Sequence, residues 1–408
     1  MATKKGVWNI QQVRDKQLQS LWSYAGGINE TYEDARGSGG ELWVTGSNSY
    51  GELGQNNLVK YSSPVQIPGT TWILAQTYGE TSNVLVCKTD GTMWGWGKNN
   101  KGGIAINEAE SAARSSPVQI PGTTWLRPSL GQQGISHMTK TDGTLWYAGV
   151  TYHGNGGDGR NANSPDGWKI SSPTQVPGTT WTNQVNDTQA AVQAIKSDGT
   201  YWVWGQDSGG CLGLSHVNGI YKYSSPVQLG SGTDWKTVSR GGNAGEAYGI
   251  KTDGTLYAWG ANNKGQLGLN QGPAQLTGAS SPIQIPGTTW ANICIGEASA
   301  IATKTDGTLW TWGDNNYGQL GQNSVNDPRS SPVQIPGTNW NTLQIVANQN
   351  GFVALKTDGT AWVWGRNADG QLGQNSTTNY SSPIQIPGTD WNGVGGGSVY
   401  GFALTKST

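Results

Sequence analysis

The stretch from Trp290 to Gly337, WANICIGEASAIATKTDGTLWTWGDNNYGQLGQNSVNDPRSSPVQIPG, decides the fold, because two phrases in it recur along the chain. The first, P-x-Q-I/V/L-P-G-T-x-W, ends at Trp72, Trp125, Trp181, Trp290, Trp340 and Trp391, and a variant one residue longer, PVQLGSGTDW, ends at Trp235. The second, K-T/S-D-G-T, begins at Lys88, Lys140, Lys196, Lys251, Lys304 and Lys356. Repetition at roughly 50 residues is typical of propeller blades.

One repeat contains four predicted strands, WANICI, SAIATK, TLWTWG and SPVQIP. Asp306-Gly307 lies between two alternating segments and predicts a hairpin with a type I′ turn, which needs positive φ at both positions. Trp310 and Trp312 are two residues apart and so face the same side of their strand. In a radial stack of sheets we expect the next blade to cover that side.

The missing copy of the second phrase is split between the chain ends. GFALTKST (Gly401 to Thr408) matches the approach to the Asp-Gly turn, and GGELWVTG (Gly39 to Gly46) matches the strand after that turn. We therefore predict an all-β fold, a seven-bladed β-propeller of four-stranded blades with one blade closed by both termini. Phe402 to Lys406 should pair beside Leu42 to Thr45, which leaves no open sheet edge in the ring.

The composition narrows the classes of partner. The chain has 408 residues, and 25 Lys and Arg against 26 Asp and Glu give a formal net charge of −1. Nucleic acids and anionic membranes attract a basic excess, so neither is an expected partner. Cys87, Cys211 and Cys294 form no CxxC pair, which indicates neither a disulfide framework nor a zinc site. The opening residues lack a signal peptide's apolar run, so we expect folding in a cytosol.

The segment WGDNNYGQLGQNS, with G-Q-L-G at Gly265 to Gly268, Gly318 to Gly321 and Gly370 to Gly373, resembles the repeat of the regulator of chromosome condensation family. The resemblance covers residues 39 to 408 and implies a seven-bladed propeller. The family's best-known activity is guanine-nucleotide exchange. Its members usually place His before the Asp-Gly turn, where this chain has Asn83, Ile135, Ala191, Glu246, Ser299 and Gly351. Exchange activity is therefore disfavoured.

No residue pattern predicts catalysis. The turn aspartates, Asp90, Asp142, Asp198, Asp253, Asp306 and Asp358, could form a cation-binding ring, but the turn requirement explains each of them. His137, His153 and His216 have no ligand spacing and are expected at the surface or in loops. No GxSxG, Walker A or paired-carboxylate motif occurs. We expect no enzymatic activity, no catalytic residue, no metal and no cofactor.

Residues 1–38 precede the repeats and are expected to form a partly helical anchor, before the propeller over 39–408. GVWNIQQVRDKQLQSLWSY resembles short openings of bacteriophage virion proteins, particularly from marine phages. A sparse apolar stripe and two bracketing aromatics predict a segment that orders against a partner, and the predicted contacts are Trp8, Ile10, Val13, Leu21 and Trp22. The alternative is a plug across one face of the propeller.

Loops that depart from the repeat are the second candidate for binding. They are Asn107 to Arg114, Tyr152 to Trp168, His216 to Tyr223 and Asn270 to Gly278. Trp168 lies in the longest of them, and long loops commonly carry binding residues. Their ligand would be a host surface protein or a polysaccharide.

The leading interpretation is a non-enzymatic structural or adhesive virion protein, such as a phage tail, fibre or capsid-surface component for host attachment, assembled in the host cytoplasm. Its partners would be other virion proteins. The alternative is a cytosolic or secreted protein-binding propeller of inhibitor or scaffold type. The sequence does not identify the ligand, the virion substructure or the oligomeric state.

Overall fold

The computed structural model describes residues 39–77, 82–108, 113–131, 134–160, 169–188, 190–216, 221–241, 245–395 and 402–406, all of them in strands, turns and loops. In chain order the strands are β1 Gly40–Gly46, β2 Tyr61–Thr77, β3 Asn83–Lys88, β4 Met93–Gly97, β5 Arg114–Ile120, β6 Trp125–Leu130, β7 Ile135–Lys140, β8 Leu145–Val150, β9 Lys169–Val176, β10 Trp181–Asp187, β11 Ala191–Lys196, β12 Tyr201–Asp207, β13 Tyr221–Gln228, β14 Trp235–Val238, β15 Arg240–Gly241, β16 Glu246–Lys251, β17 Thr255–Ala261, β18 Gly278–Thr288, β19 Trp290–Ile295, β20 Ser299–Lys304, β21 Leu309–Gly313, β22 Arg329–Ile335, β23 Trp340–Ala347, β24 Gly351–Lys356, β25 Ala361–Gly365, β26 Tyr380–Ile386, β27 Trp391–Gly395 and β28 Ala403–Lys406.

Most sheets are four antiparallel strands taken in sequence order. The orders are β6-β7-β8-β9, β10-β11-β12-β13, β14-β16-β17-β18 and β23-β24-β25-β26, and the sheet β19-β20-β21-β22 carries the short β15 on its β19 edge. The remaining sheet has the order β27-β28-β1-β2-β3-β4-β5 because the long strand β2 pairs with β1 and, near its end, with β3. The fold is therefore all-β over the described residues.

The chain ends meet within that last sheet. β28 pairs with β1, with Leu42 opposite Thr405 and Trp43 opposite Leu404. On its other side β28 pairs with β27, with Trp391 opposite Lys406. The predicted pairing of the C-terminal strand beside Leu42 to Thr45 is confirmed, and residues far apart in sequence close one sheet.

The prediction of a type I′ turn at Asp306-Gly307 is wrong. The turn between β20 and β21 has a different conformation. φ is +77° at Gly307, whereas Asp306 is not among the residues with positive φ. The Gly307 N–H donates to the Lys304 carbonyl at 3.0 Å, and the Lys304 N–H donates to the Thr308 carbonyl at 3.0 Å. This is a three-residue hairpin loop that places glycine in the left-handed conformation. Asp306 accepts from the Thr308 N–H and hydroxyl at 3.0 and 2.7 Å, which explains the D-G-T sequence.

The second tryptophan of each W-x-W pair joins neighbouring sheets. Trp312 is fully buried, and its indole N–H donates to the Gln266 carbonyl at 2.7 Å. Gln266 belongs to the loop after β17, so the preceding sheet, not the next one, covers this face. Trp310 stays partly exposed, and both rings pack edge-on against Trp290. The core therefore lies between sheets.

A backbone hydrogen bond fastens each loop between a third and a fourth strand to the next sheet. The Asn323 N–H donates to the Ser381 carbonyl at 2.8 Å, and φ at Asn323 is +55°, a conformation that Asn tolerates. We call this bond the latch. The other latches run from Asn56 to Ser115, Asn107 to Ser171, Gly159 to Ser224, Ser215 to Ser280, Asn270 to Ser330 and Asn375 to Ser62.

The strands that carry the Trp of the first phrase form a closed series of contacts. β2 contacts β6, β6 contacts β10, β10 contacts β14, β14 contacts β19, β19 contacts β23, β23 contacts β27, and β27 contacts β2. Six S-S-P strands, such as β22 with Pro332, stand at the opposite edge of their sheets, and the S-S-P part of β2 pairs on one side only, with β1. Proline has no N–H to offer a further strand, which protects this outer edge from pairing.

Candidate functional site

The strand directions give the assembly two sides. We call one the turn side; it carries the Asp-Gly turns and the Pro-Gly-Thr links that lead to the next sheet. The other is the loop side; it carries the connections from third to fourth strands and from first to second strands. Each candidate site belongs to one of them or to the gap between two sheets.

The turn side repeats one arrangement of lysine and indole. The ammonium of Lys304 lies 4.7 Å from the Trp290 ring centroid and 4.5 Å from that of Trp310. Cation–π contacts of this kind occupy the lysine. Lys88, Lys140, Lys196, Lys251 and Lys356 lie in the same way over pairs of aromatic rings.

The turn aspartates build the turns in the same repeated manner. The hydrogen bonds from Thr308 hold the pKa of Asp306 below its usual value. Asp90, Asp142, Asp198, Asp253 and Asp358 have a lowered pKa from the same Thr contacts. Within the described ranges, no group of three His, Cys, Asp or Glu side chains is placed to hold a metal ion. The turn requirement thus accounts for these carboxylates.

The loop side combines a repeated frame with varied side chains. Asn315 shows the frame: its Oδ1 accepts from the Leu320 N–H at 3.0 Å, and its amide donates to the Ser324 carbonyl at 3.1 Å. Exposed apolar side chains stand on these loops. They include Tyr50, Leu58, Val59, Tyr317 and Val325, of which Leu58 is 61% and Val325 52% exposed.

His216 replaces part of this frame in one loop. Asp207 stands where five of the other loops have Asn, and its Oδ1 still accepts from the Leu212 N–H at 3.0 Å. Carboxylate oxygens cannot donate, and Oδ2 instead lies 2.8 Å from Nδ1 of His216. Nε2 of His216 lies 3.1 Å from the Tyr223 hydroxyl, and the ring stacks on Tyr221. The His–Asp pair therefore ties the loop.

His137 is buried, so the expectation of a surface or loop position is wrong for this residue. It lies on β7 with no exposed surface, and its Nδ1 is 2.6 Å from Oδ1 of the equally buried Asp187. Tyr147 and Trp204 enclose the imidazole. A pair sealed between sheets in this way joins β7 to the end of β10 and is closed to substrate.

Glu246 occupies one of the positions where the resembling family has histidine. These positions are the first residues of β3, β7, β11, β16, β20 and β24. Glu246 has no exposed surface, and its carboxylate lies beside the buried side chain of Gln266. Its pKa is raised to about 8, mainly by burial and to a smaller extent by the nearby Glu297 carboxylate, against hydrogen bonds from its own backbone and from Gln266 that lower it. Burial also raises the pKa of the Cys211 thiol to about 12, which disfavours a nucleophilic thiolate.

A cleft of about 300 Å³ opens on the loop side where small residues meet between two sheets. A Cβ on Gly209 would lie 3.8 Å from the Ala261 Cβ. At the equivalent positions of another pair of loops, larger side chains are in contact: the Lys98 ammonium lies 4.5 Å from the Tyr50 ring centroid. The walls of the cleft include Thr188, Gln206, Ser208, Cys211 and Asn263. They can offer hydrogen bonds but no formal charge.

The binding residues predicted from sequence lie outside the described residues. Trp8, Ile10, Val13, Leu21 and Trp22 belong to 1–38, and Trp168 belongs to 161–168. The predicted rim loops are described in part, and their described residues lie on the loop side. Within the described part of the chain, no helix is long and apolar enough to cross a membrane.

Sheets joined in a closed series, each with an inner Trp-led strand and an outer proline-bearing strand, define a β-propeller. Residues 253–302, 306–350 and 358–404 match the regulator of chromosome condensation (RCC1) repeat, and a second model of this repeat matches 290–319 and 343–371. The chain carries RCC1 repeats, and the resemblance drawn from its sequence is confirmed.

Three relatives illustrate the likeness. The chain is 26% identical over 307 residues to human E3 ubiquitin-protein ligase HERC2, which covers 73% of this chain but 6% of HERC2. It is 26% identical over 322 residues to ultraviolet-B receptor UVR8 of Arabidopsis thaliana, covering 77% of this chain and 70% of UVR8. The crystal structure of Prp20p from Saccharomyces cerevisiae matches with a TM-score of 0.78 at 17% identity, covering 94% of this chain and 96% of that one.

Proposed function

We propose that this chain is a non-enzymatic propeller that binds another polypeptide through its loop side. One observation carries the proposal: equivalent backbone latches hold the loops, five of which also share the Asn frame, while the exposed side chains on those loops differ. The latches use backbone atoms, so side chains can change without loss of the fold. A rigid scaffold with variable loops is a common basis for recognition.

The polypeptide nature of the partner has two supports. Exposed apolar side chains such as Leu58 and Val325 suit a protein surface better than a charged polymer. Prp20p, which has the same fold, is described with its binding properties to Gsp1p and histones. The net charge of −1 gives no attraction toward nucleic acid.

We infer further that the propeller has seven blades. The seven-stranded sheet would then be two blades that share β2, whose Trp72 pairs with Lys88 while Ile67 pairs with Leu42. The latch from Asn375 to Ser62 would close the ring, and the Thr45 hydroxyl supports this by donating to the Gln371 carbonyl at 2.9 Å, as Trp312 does to Gln266. An experimental structure that resolves this sheet tests the count.

The division into an anchor at 1–38 and a propeller at 39–408 remains part of the proposal. A virion location with host attachment, assembled in the host cytoplasm, is based on the opening residues together with the regular, low-charge, Trp- and Gly-rich repeats, and the similar proteins add no support to it. It stays a prediction. Labelling of intact phage particles with an antibody to this chain would test it.

Site-specific photo-crosslinking tests the loop-side proposal. A benzoylphenylalanine at Leu58 or Val325 probes the loop side, and the same residue at the exposed Asn339 of a turn-side link is the matched control. In the cells or particles that contain the protein, loop-side positions should give one discrete adduct with another polypeptide, and Asn339 should give none. Adducts from Asn339 alone would contradict the assignment.

A further inference from the structure

A cleft of about 360 Å³ lies between the sheet that ends with β13 and the sheet that begins with β14. The link between β13 and β14 forms one wall with Leu229, Gly230 and Gly232, and the Trp235 ring and Lys251 close the inner end. Leu214 and Ser215 come from a loop-side connection and Ser281 and Pro282 from β18, so the cleft extends from the loop side to a turn-side link. The cleft thus lies beside a latch, since the Ser215 N–H donates to Ser280.

The cleft coincides with the one link that departs from the repeat. Elsewhere the link reads I-P-G-T or V-P-G-T, whereas here it is Leu229-Gly230-Ser231-Gly232-Thr233. Gly232 keeps the place of the usual glycine, because a Cβ there would lie 3.5 Å from the Trp235 indole nitrogen. Ser231 then replaces proline, and Gly230 is the added residue. Gly230 has φ +62° and no atom within 4 Å of where its Cβ would lie.

A second departure removes a hydrogen bond beside the same gap, one that in other loops ties the loop to the outer strand of its own sheet. In three other loops a glutamine precedes the latch residue and its side-chain amide donates to a carbonyl of the outer strand, as Gln55 does to Gln66 at 3.0 Å. Gln322 and Gln374 do the same toward Gln334 and Gln385. Leu214 occupies this position next to the cleft, and a leucine cannot donate a hydrogen bond. The gap is consequently apolar on this side.

The walls define the chemistry of an occupant. Leu214, Leu229, Trp235 and Pro282 offer carbon surface. Lys251 brings no free charge, because its ammonium lies 3.2 Å from the Asp234 carboxylate. The volume is at the lower end of ligand pockets, which suits one or two side chains. An uncharged, apolar group fits this environment.

We propose that this cleft receives an apolar side chain, leucine-sized or aromatic, from the partner polypeptide of the propeller. The inference deepens the proposed function and relies on it for the identity of the ligand as a polypeptide. Ser215 and Ser281 at the rim can hydrogen-bond to the backbone of the inserted segment. The cleft then acts as the anchor pocket, where a buried side chain supplies most of the binding energy.

A displayed library of random heptapeptides is the probe, because it requires no knowledge of the partner. The full chain is the target, and individual peptides are titrated afterwards. One variant restores the repeat by exchanging Leu229–Thr233 for Ile-Pro-Gly-Thr, and a second carries Leu214→Gln to rebuild the hydrogen bond to the outer strand. Leu269→Gln changes the equivalent residue of the next loop, which precedes a normal link, and is the matched control.

The expected result is a set of peptides that share an apolar residue and bind at least tenfold more weakly to both cleft variants than to the wild type and the Leu269→Gln control. Circular dichroism and melting curves confirm that the variants fold. Peptides that bind equally to the wild type and to all three variants would overturn the cleft assignment. If those peptides instead lose binding when the exposed loops are exchanged, the proposed function still holds without the cleft. Failure to select any apolar peptide would also overturn the cleft assignment.

Discussion

The turn side of the propeller is stabilised mainly by side-chain contacts, and the loop side is stabilised mainly by backbone hydrogen bonds. On the turn side the repeat uses its side chains for structure: Lys304 covers Trp290 and Trp310, and Asp306 caps Thr308. On the loop side the structure is held by backbone latches, such as Asn323 to Ser381. The difference teaches that repetition alone marks neither function nor its absence. The atoms that carry the fold decide which residues are free to bind.

The largest effect should come from opening the closing sheet. Deletion of residues 401–408 removes β28, the strand between β27 and β1, and leaves two unpaired edges. We expect a fall in melting temperature of more than about 10 °C, since each kcal/mol shifts the midpoint by roughly 2–4 °C. Deletion of residues 407 and 408 alone leaves β28 intact and should change little. Equal melting curves for both deletions would contradict closure by the termini.

Trp312 and Trp310 separate packing between sheets from packing at the turn side. Trp312→Ala should lower the free energy of unfolding by about 3–5 kcal/mol, because the ring is fully buried and bonded to the preceding sheet. Trp310→Ala should cost less, since its ring is partly exposed. Urea unfolding of both variants measures the difference. The reverse order would show that the Lys–Trp arrangement, not the contact between sheets, dominates.

Glu246 tests the energetics of the loop side through pH. Its pKa in the folded protein, about 8, lies above the ordinary value of 4.5, so the folded state binds the proton more tightly. Stability from this group is therefore complete below about 4.5 and falls as the pH rises toward 8. Glu246→Gln removes the titration and should raise the melting temperature at pH 9 by several degrees more than at pH 5. If the difference in melting temperature between Glu246→Gln and the wild type is the same at pH 5 and pH 9, the raised pKa of Glu246 is contradicted.

The smallest effect is expected at a single turn. Asp306→Ala removes the acceptor for the Thr308 N–H and hydroxyl, and should lower the melting temperature by about 1–3 °C because the site is exposed. The pKa of Asp306 is below 3.8, so its contribution is present above that value and is lost as the pH falls. The difference in melting temperature between Asp306→Ala and the wild type should therefore become smaller in acid. Asp306→Asn keeps an acceptor oxygen and should stay near wild type.

The sequence predicted the strands of Trp290 to Ile335 and the pairing of Leu42 with the C-terminal strand because repeated phrases and alternation are local signals. It did not predict the turn type, since Asp-Gly suits both a two-residue and a three-residue loop until the hydrogen bonds of Lys304 are known. The burial of His137 was also missed, because its partner Asp187 is contributed by another sheet.

The candidate site was predictable only as an exception to the pattern. The link before Trp235 was visible as one residue too long, but the cleft there is also lined by Leu214 from a loop of the sheet that ends with β13 and by Pro282 from the next sheet. Such a juxtaposition depends on which sheets are neighbours. The predicted contacts Trp8, Trp22 and Trp168 lie outside the described residues, so their role stays a prediction.

One measurement tests the central claim most directly. The departing loops Asn107 to Arg114, Tyr152 to Trp168, His216 to Tyr223 and Asn270 to Gly278 are exchanged for the corresponding parts of the connection between β25 and β26. Melting temperature and adduct yield from a benzoylphenylalanine at Leu58, outside the exchanged loops, are then read in the same protein. We predict an unchanged melting temperature with loss of the adduct. A full adduct yield from the folded variant would contradict recognition by the loop side's variable residues.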